Sequence, residues 1–112
     1  MGPCFTQRQF VQAVLCLCAC WSATSARAQA DETRAKKIVG GVCFVCHGAG
    51  GESSSEVFPR LAGQHWEYIA KQLENFKSGK RKSTAMGDMA SRLKPDEMVA
   101  LGKYFESKSV PT

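Results

Sequence analysis

Apolar residues recur at helical spacing in three stretches of the chain and alternate at strand spacing in none. The clearest stretch is His65 to Ser78. Trp66, Ile69, Leu73 and Phe76 fall at i, i+3, i+7 and i+10, which is one stripe down a helix, with Tyr68 and Gln72 along its edge. Glu67, Lys71 and Glu74 take the water side, and Glu67 four residues ahead of Lys71 is the favourable order. Gly79 is the stop signal. A last helix opens at Lys94-Pro95-Asp96-Glu97. Proline suits its first position and the two acids suit its positive end. Met98, Leu101, Tyr104 and Phe105 form its inner face, with Gly102 among them as a place where another helix can cross. A first helix runs from about Arg34, capped by Asp31 or Thr33, through Ala35, Ile38, Val39 and Val42. Gly40-Gly41 interrupts it at up to ~1 kcal/mol per glycine relative to alanine, which points to close approach by another helix. The pattern predicts an all-α domain without internal repeat.

The connections differ in character. Gly48 to Glu56 (GAGGESSSE) has no period and reads as a surface loop. Val57 to Gly63 is more apolar and contains Pro59, which cannot donate a hydrogen bond, so it reads as extended chain. Ser83 to Arg92 reads as a loop carrying Met86 and Met89. Lys77, Lys80, Arg81 and Lys82 cluster at the end of the middle helix. They either complement its dipole or form a patch for an acidic partner.

The N-terminus changes the picture of compartment. Arg8 is followed by a 12-residue apolar block, Phe10 to Trp21, and then by Ala26-Arg27-Ala28. That is the order of a secretory signal: positive start, apolar middle, small-x-small cleavage site. The block is short of the roughly 20 apolar residues a spanning helix needs. The expectation is a cleaved signal over residues 1–28 and a single domain over 29–112, exported to the periplasm. Membrane association then requires that the signal be retained or that Cys20, in an approximate lipoprotein processing site, be lipidated.

Cleavage also changes the cysteine count. Cys4, Cys16, Cys18 and Cys20 leave with the signal, so of six cysteines only Cys43 and Cys46 remain. No disulfide framework results, although the compartment permits one. The net charge falls from +5 to +3, that is 13 Lys and Arg against 10 Asp and Glu once Arg8 and Arg27 are removed. Without aromatic-basic interleaving, so small an excess gives no argument for nucleic acid. The remaining 84 residues (112 minus 28) are few for a core built from side chains alone.

Cys43-Phe44-Val45-Cys46-His47 answers that shortage. On one helical turn Cys43 and Cys46 share a face, so each thiol can add to a haem vinyl group, and His47 follows to bring an imidazole to the iron. A zinc site would need a second ligand pair, and no cysteine follows His47. A redox dithiol would need a βαβ context, which the pattern lacks. One covalently attached haem c is therefore expected, and it would supply the apolar body of the domain. The sixth iron position has four candidates: Met86 and Met89 in the presumed loop, Met98 on the last helix, and His65 at a helix start, 18 residues after His47. Methionine opposite histidine raises the potential relative to two imidazoles. An open position would suit gas binding instead.

Cys43-x-x-Cys46-His47-Gly48, Phe58-Pro59-x-Leu61-Ala62-Gly63-Gln64, Tyr68-x-x-x-Gln72-Leu73, Met86-x-x-Met89-Ala90, Asp96-Glu97 and Tyr104-Phe105 together resemble the class I c-type cytochromes. The likeness is to the small bacterial monohaem kind, similar to one half of the dihaem cytochromes c. It covers nearly all of residues 34 to 106. It implies three to four helices wrapped round one haem, with the first and last crossing where Gly40 or Gly41 meets the Tyr104 region. It also implies Cys43 and Cys46 as thioether anchors and His47 as proximal ligand. The Pro59 carbonyl would accept the other ring N–H of His47, and Met86 would be the distal ligand, with Met89 the runner-up. Lys94 stands where the family usually has a serine or threonine cap, so the last helix is expected to begin less firmly.

The resemblance implies a periplasmic one-electron carrier rather than an enzyme. Its partners would be redox proteins: a donor dehydrogenase or reductase complex, and an acceptor oxidase or another cytochrome. Two alternatives follow from the same residues. One is a cytochrome subunit that accepts electrons from a dehydrogenase acting on a sulfur compound or an alcohol. The other is a haem-based ligand sensor with an open sixth position.

Overall fold

The structure is a computed structural model that describes residues 7–110, with side chains from residue 23 onward. Cys4 and the side chains of Arg8, Cys16, Cys18, Cys20 and the apolar block lie outside the described residues, as does Thr112. The chain divides into two compact units, Met1–Ala30 and Asp31–Thr112. Among the described residues no helix is long and apolar enough to cross a membrane.

The described elements are helical throughout: α1 (Gln7–Ile38), a π-helical turn (Val39–Cys43), α2 (Phe44–His47), α3 (Trp66–Lys77), α4 (Thr84–Ser91) and α5 (Pro95–Glu106). Within the second unit, the end of α1, the π turn and α2 form one continuous path, so four helices surround the core. Helix α1 passes through Asp31 and Thr33 without a break, and neither caps its start as expected. The Gly40-Gly41 pair falls in the π turn, where the Phe44 N–H reaches back five residues to the Val39 carbonyl. A side chain at Gly40 or Gly41 would meet nothing within 4 Å. The glycines sit in the irregular turn without a tight contact, and Gly40 lines a cleft with Tyr104 of α5. Ala35 of α1 and Val39 of the π turn are the buried residues of this path, and they join Leu101 and Phe105 of α5 in one apolar cluster. Arg34 Nη1 and Asp96 Oδ2, 2.6 Å apart, tie the same two helices at the surface.

Helix α3 is the central packing element, lying against both α5 and α4. Ile69 and Leu73 are buried as its stripe predicts. Its surface pair is Lys71–Glu74 at 2.8 Å rather than Glu67–Lys71. Both are exposed alternatives on one face, differing by tenths of a kcal/mol. Helices α3 and α5 approach closely at Gly102, where an added Cβ would stand 2.5 Å from the Trp66 carbonyl oxygen. Met98 lies in the core.

Two connections differ from expectation. Ser83 to Arg92 is mostly helix, because the Ser83 hydroxyl caps α4 by accepting from the Met86 N–H at 3.3 Å. Its period was hidden by length, since two turns hold too few apolar positions to register. The Gly48–Glu56 loop is not wholly at the surface, for Gly51 and Ser53 are buried in it. At α5, a lysine ammonium has no lone pair for a backbone N–H. The Glu97 carboxylate instead accepts from the Lys94 N–H at 2.9 Å, which supplies half of a reciprocal cap. Lys77 and Arg81 of the basic cluster are engaged, Lys77 Nζ donating to the Leu93 carbonyl and Arg81 Nη1 to Gln72 Oε1.

Candidate functional site

The site begins where α2 ends. Four residues, Phe44-Val45-Cys46-His47, make one turn, and Gly48 at φ +82° closes it by turning the chain away. Beyond that turn the chain must come back to meet His47, and Gly51 is what lets it. At φ +78° it turns its carbonyl to accept from both the Leu61 and Ala62 N–H groups, at 2.8 and 3.1 Å. Segment 58–62 is thereby drawn alongside the loop. The Gly63 N–H then donates to the Phe105 carbonyl at 2.9 Å, fixing the segment to α5.

The return brings Pro59 to His47. The imidazole is 8% exposed, and its Nδ1 lies 2.9 Å from the Pro59 carbonyl oxygen. A carbonyl can only accept, so this contact assigns the proton to Nδ1 and leaves the Nε2 lone pair free to bind a metal. The Phe58 ring meets the imidazole edge-on, centroids 6.4 Å apart. Cys43 is half-buried and Cys46 exposed, both as free thiols. Burial pushes the Cys43 thiol up, so it stays protonated at neutral pH. Around them Phe44, Val45, Val57 and Phe58 remain open to solvent. These lie on the two segments that the His47–Pro59 contact joins.

This donor set fits a covalently held haem. Two thiols stand three residues apart, about one helical turn. A buried imidazole has its distal nitrogen free, and apolar surface beside it lacks a protein partner. Of the remaining sequence candidates, Met86 and Met89 both lie on α4. Met86 packs against the core, and Met89 is 38% exposed. Met98 is buried away as core filler. His65 is not brought to the site: its side chain is 85% exposed, with Nδ1 3.5 Å from Glu106 Oε1 at the end of α5. Sequence reasoning missed Gly51 and Ser53. It also missed the Tyr104 hydroxyl, which donates to the Ala49 carbonyl at 2.8 Å and pins the loop to α5. The only signal for the first two is their place in a glycine-rich stretch directly after the histidine.

Residues 30–105 match the family described as cytochrome c oxidase, cbb3-type, subunit III. The chain is 42% identical over 80 residues to cytochrome c4 of Thiocapsa roseopersicina, covering 71% of this chain and 39% of that protein. It is 41% identical over 71 residues to a thiosulfate dehydrogenase electron acceptor of Thiomonas intermedia, covering 62% and 32%. Among solved structures it resembles the cytochrome c4 of Acidithiobacillus ferrooxidans, with a TM-score of 0.61 and 32% identity over 71% of this chain and 49% of the other. The chain thus spans a third to two fifths of the length of these curated relatives.

Proposed function

This chain belongs to the class I c-type cytochromes, and from that premise we propose that it is an exported electron carrier whose iron is held by His47 and Met86. It carries one haem c, bound through Cys43 and Cys46, and it transfers electrons rather than catalysing a reaction of its own. When bound, the haem supplies a one-electron ferrous/ferric couple. The residues supply the rest. Cys43 and Cys46 would hold the group as thioethers, each thiol adding its S–H across a vinyl double bond with no leaving group. His47 presents Nε2 because Pro59 occupies Nδ1. That contact is the observation on which the reading rests, since it fixes both the tautomer and the orientation an axial ligand needs.

Met86 is the proposed distal ligand, and its thioether favours the ferrous state because it is soft and neutral. Its support is the family spacing, together with a half-buried side chain on a capped helix. The test is a pair of variants. Met86→Ala is expected to lower the potential and open the ferrous iron to carbon monoxide, while Met89→Ala leaves both unchanged. Loss of thioether ligation in Met89→Ala alone would contradict the assignment.

Export rests on the signal-like order of residues 1–28. The mature protein is then residues 29–112 in the periplasm, where donor dehydrogenases and acceptor oxidases or cytochromes are its partners. Encounters should be brief, with the small interfaces usual for redox pairs. A second reading, a cytochrome subunit accepting electrons from a sulfur-compound dehydrogenase, is favoured by the 41% identity to such an acceptor. A dehydrogenase that copurifies tightly with the mature chain would select it.

A further inference from the structure

Pro59 has no N–H, so nothing in its own backbone donates a bond that would hold its carbonyl on His47. Its position is set by its neighbours, and one residue holds both of them. Ser53 is 7% exposed, and all its polar groups are used. Its N–H donates to the His47 carbonyl at 2.9 Å. Its hydroxyl donates to the Phe58 carbonyl at 2.9 Å and accepts from the Ser55 N–H at 3.3 Å. Its carbonyl accepts from Arg60 Nε at 3.2 Å. One buried serine therefore grips the backbone of the imidazole and the residues on either side of Pro59.

We propose that Ser53 is a positioning residue for the axial imidazole, holding the Phe58–Pro59 segment so that the Pro59 carbonyl stays on His47 Nδ1 and thereby setting the reduction potential. The inference rests on His47 being the axial ligand, as proposed above. A carbonyl that accepts from Nδ1–H makes the imidazole a more electron-rich ligand and so favours the ferric state. Loosening the Phe58 anchor lengthens that bond and shifts the balance to ferrous. A serine that merely stabilised the loop would act in the opposite sense when removed. A loosened crevice admits water, which favours the more highly charged ferric site.

The test compares haem-loaded wild type, S53A and S53T. In S53A the ferrous-to-ferric ratio at a fixed solution potential is expected to rise about three- to tenfold, the scale of one weakened hydrogen bond. S53T, which keeps the hydroxyl, should return it to the wild-type value. A ratio that is unchanged or lowered in S53A overturns the inference. His47→Ala separates the two levels of the argument. If it leaves spectrum and potential unchanged, the ligation reading falls and the inference with it. If it alters them while S53A does not, the inference alone falls. Should S53A yield too little loaded protein, proton exchange in the wild type decides. Slow exchange of both the Ser53 hydroxyl and the His47 Nδ1 proton supports the inference, and a hydroxyl exchanging at the solvent rate overturns it.

Discussion

At position 51 a Cβ would stand 2.7 Å from Phe105 Cδ1 and 2.8 Å from the Ala62 nitrogen, on a backbone at φ +78°. Two costs meet there, a left-handed conformation and a clash with backbone that cannot give way. Gly51→Ala is therefore expected to destabilise the loaded protein by about 2–4 kcal/mol, measured by denaturant titration. A loss under 1 kcal/mol would mean the loop is softer than its hydrogen bonds indicate. Residues at this scale were unevenly legible. Cys43, Cys46 and His47 declare themselves because their chemistry needs those types at that spacing, and Pro59 followed from the family pattern. Gly51 and Ser53 did not. A glycine at positive φ and a buried serine look, in one dimension, the same as the half-buried Gly50 and the exposed Ser54 beside them. What distinguishes them is which partners the returning chain brings, and that depends on contacts 5 to 54 residues away.

Among elements, the two glycine positions in helices make opposite predictions. In Gly102→Ala the new Cβ meets the Trp66 backbone at 2.5 Å. Alanine gains up to about 1 kcal/mol in helix propensity, but prising α5 from α3 costs about 1–3 kcal/mol. The crossing should win, and the variant should melt lower. Gly40→Ala enters open space, so propensity acts unopposed and stability should be unchanged or slightly raised. Melting curves of the two loaded variants check both. Gly40 and Gly41 lie in the π turn with open space beside them, Gly40 sharing a cleft with Tyr104, and the tight packing runs through Ala35 of α1 and Val39 at the start of that turn. Helices α3 and α5 were legible because their stripes run over 12 residues each. Helix α4, with eight, was not, and its cap at Ser83 was the available cue.

For the molecule as a whole, the shortage of core is the governing fact. The buried apolar side chains among the described residues are mostly small or medium, with Leu101 and Val39 the largest that are fully enclosed. Meanwhile Phe44, Val45, Val57, Phe58 and Tyr68 stay open to solvent. A domain of this size needs a further apolar body, and the thiols of Cys43 and Cys46 are placed to hold one. Cys43→Ser and Cys46→Ser should each leave little folded protein, as judged by helical circular dichroism. A normal yield of folded, haem-free Cys43→Ser protein would contradict the account. The all-α class was legible from periodicity. The need for a cofactor was legible from length once residues 1–28 were set aside.

The central claim is that one haem c is closed on both axial sides by residues of this chain. The optical spectrum of the purified mature protein, oxidised and then reduced, tests it most directly, with attention to the weak red band of methionine sulfur on ferric haem. The account predicts that the band is present and that the reduced form ignores carbon monoxide. An absent band with ready carbon monoxide binding would mean an open sixth position, and the protein would then be a ligand-binding haem protein rather than an electron carrier.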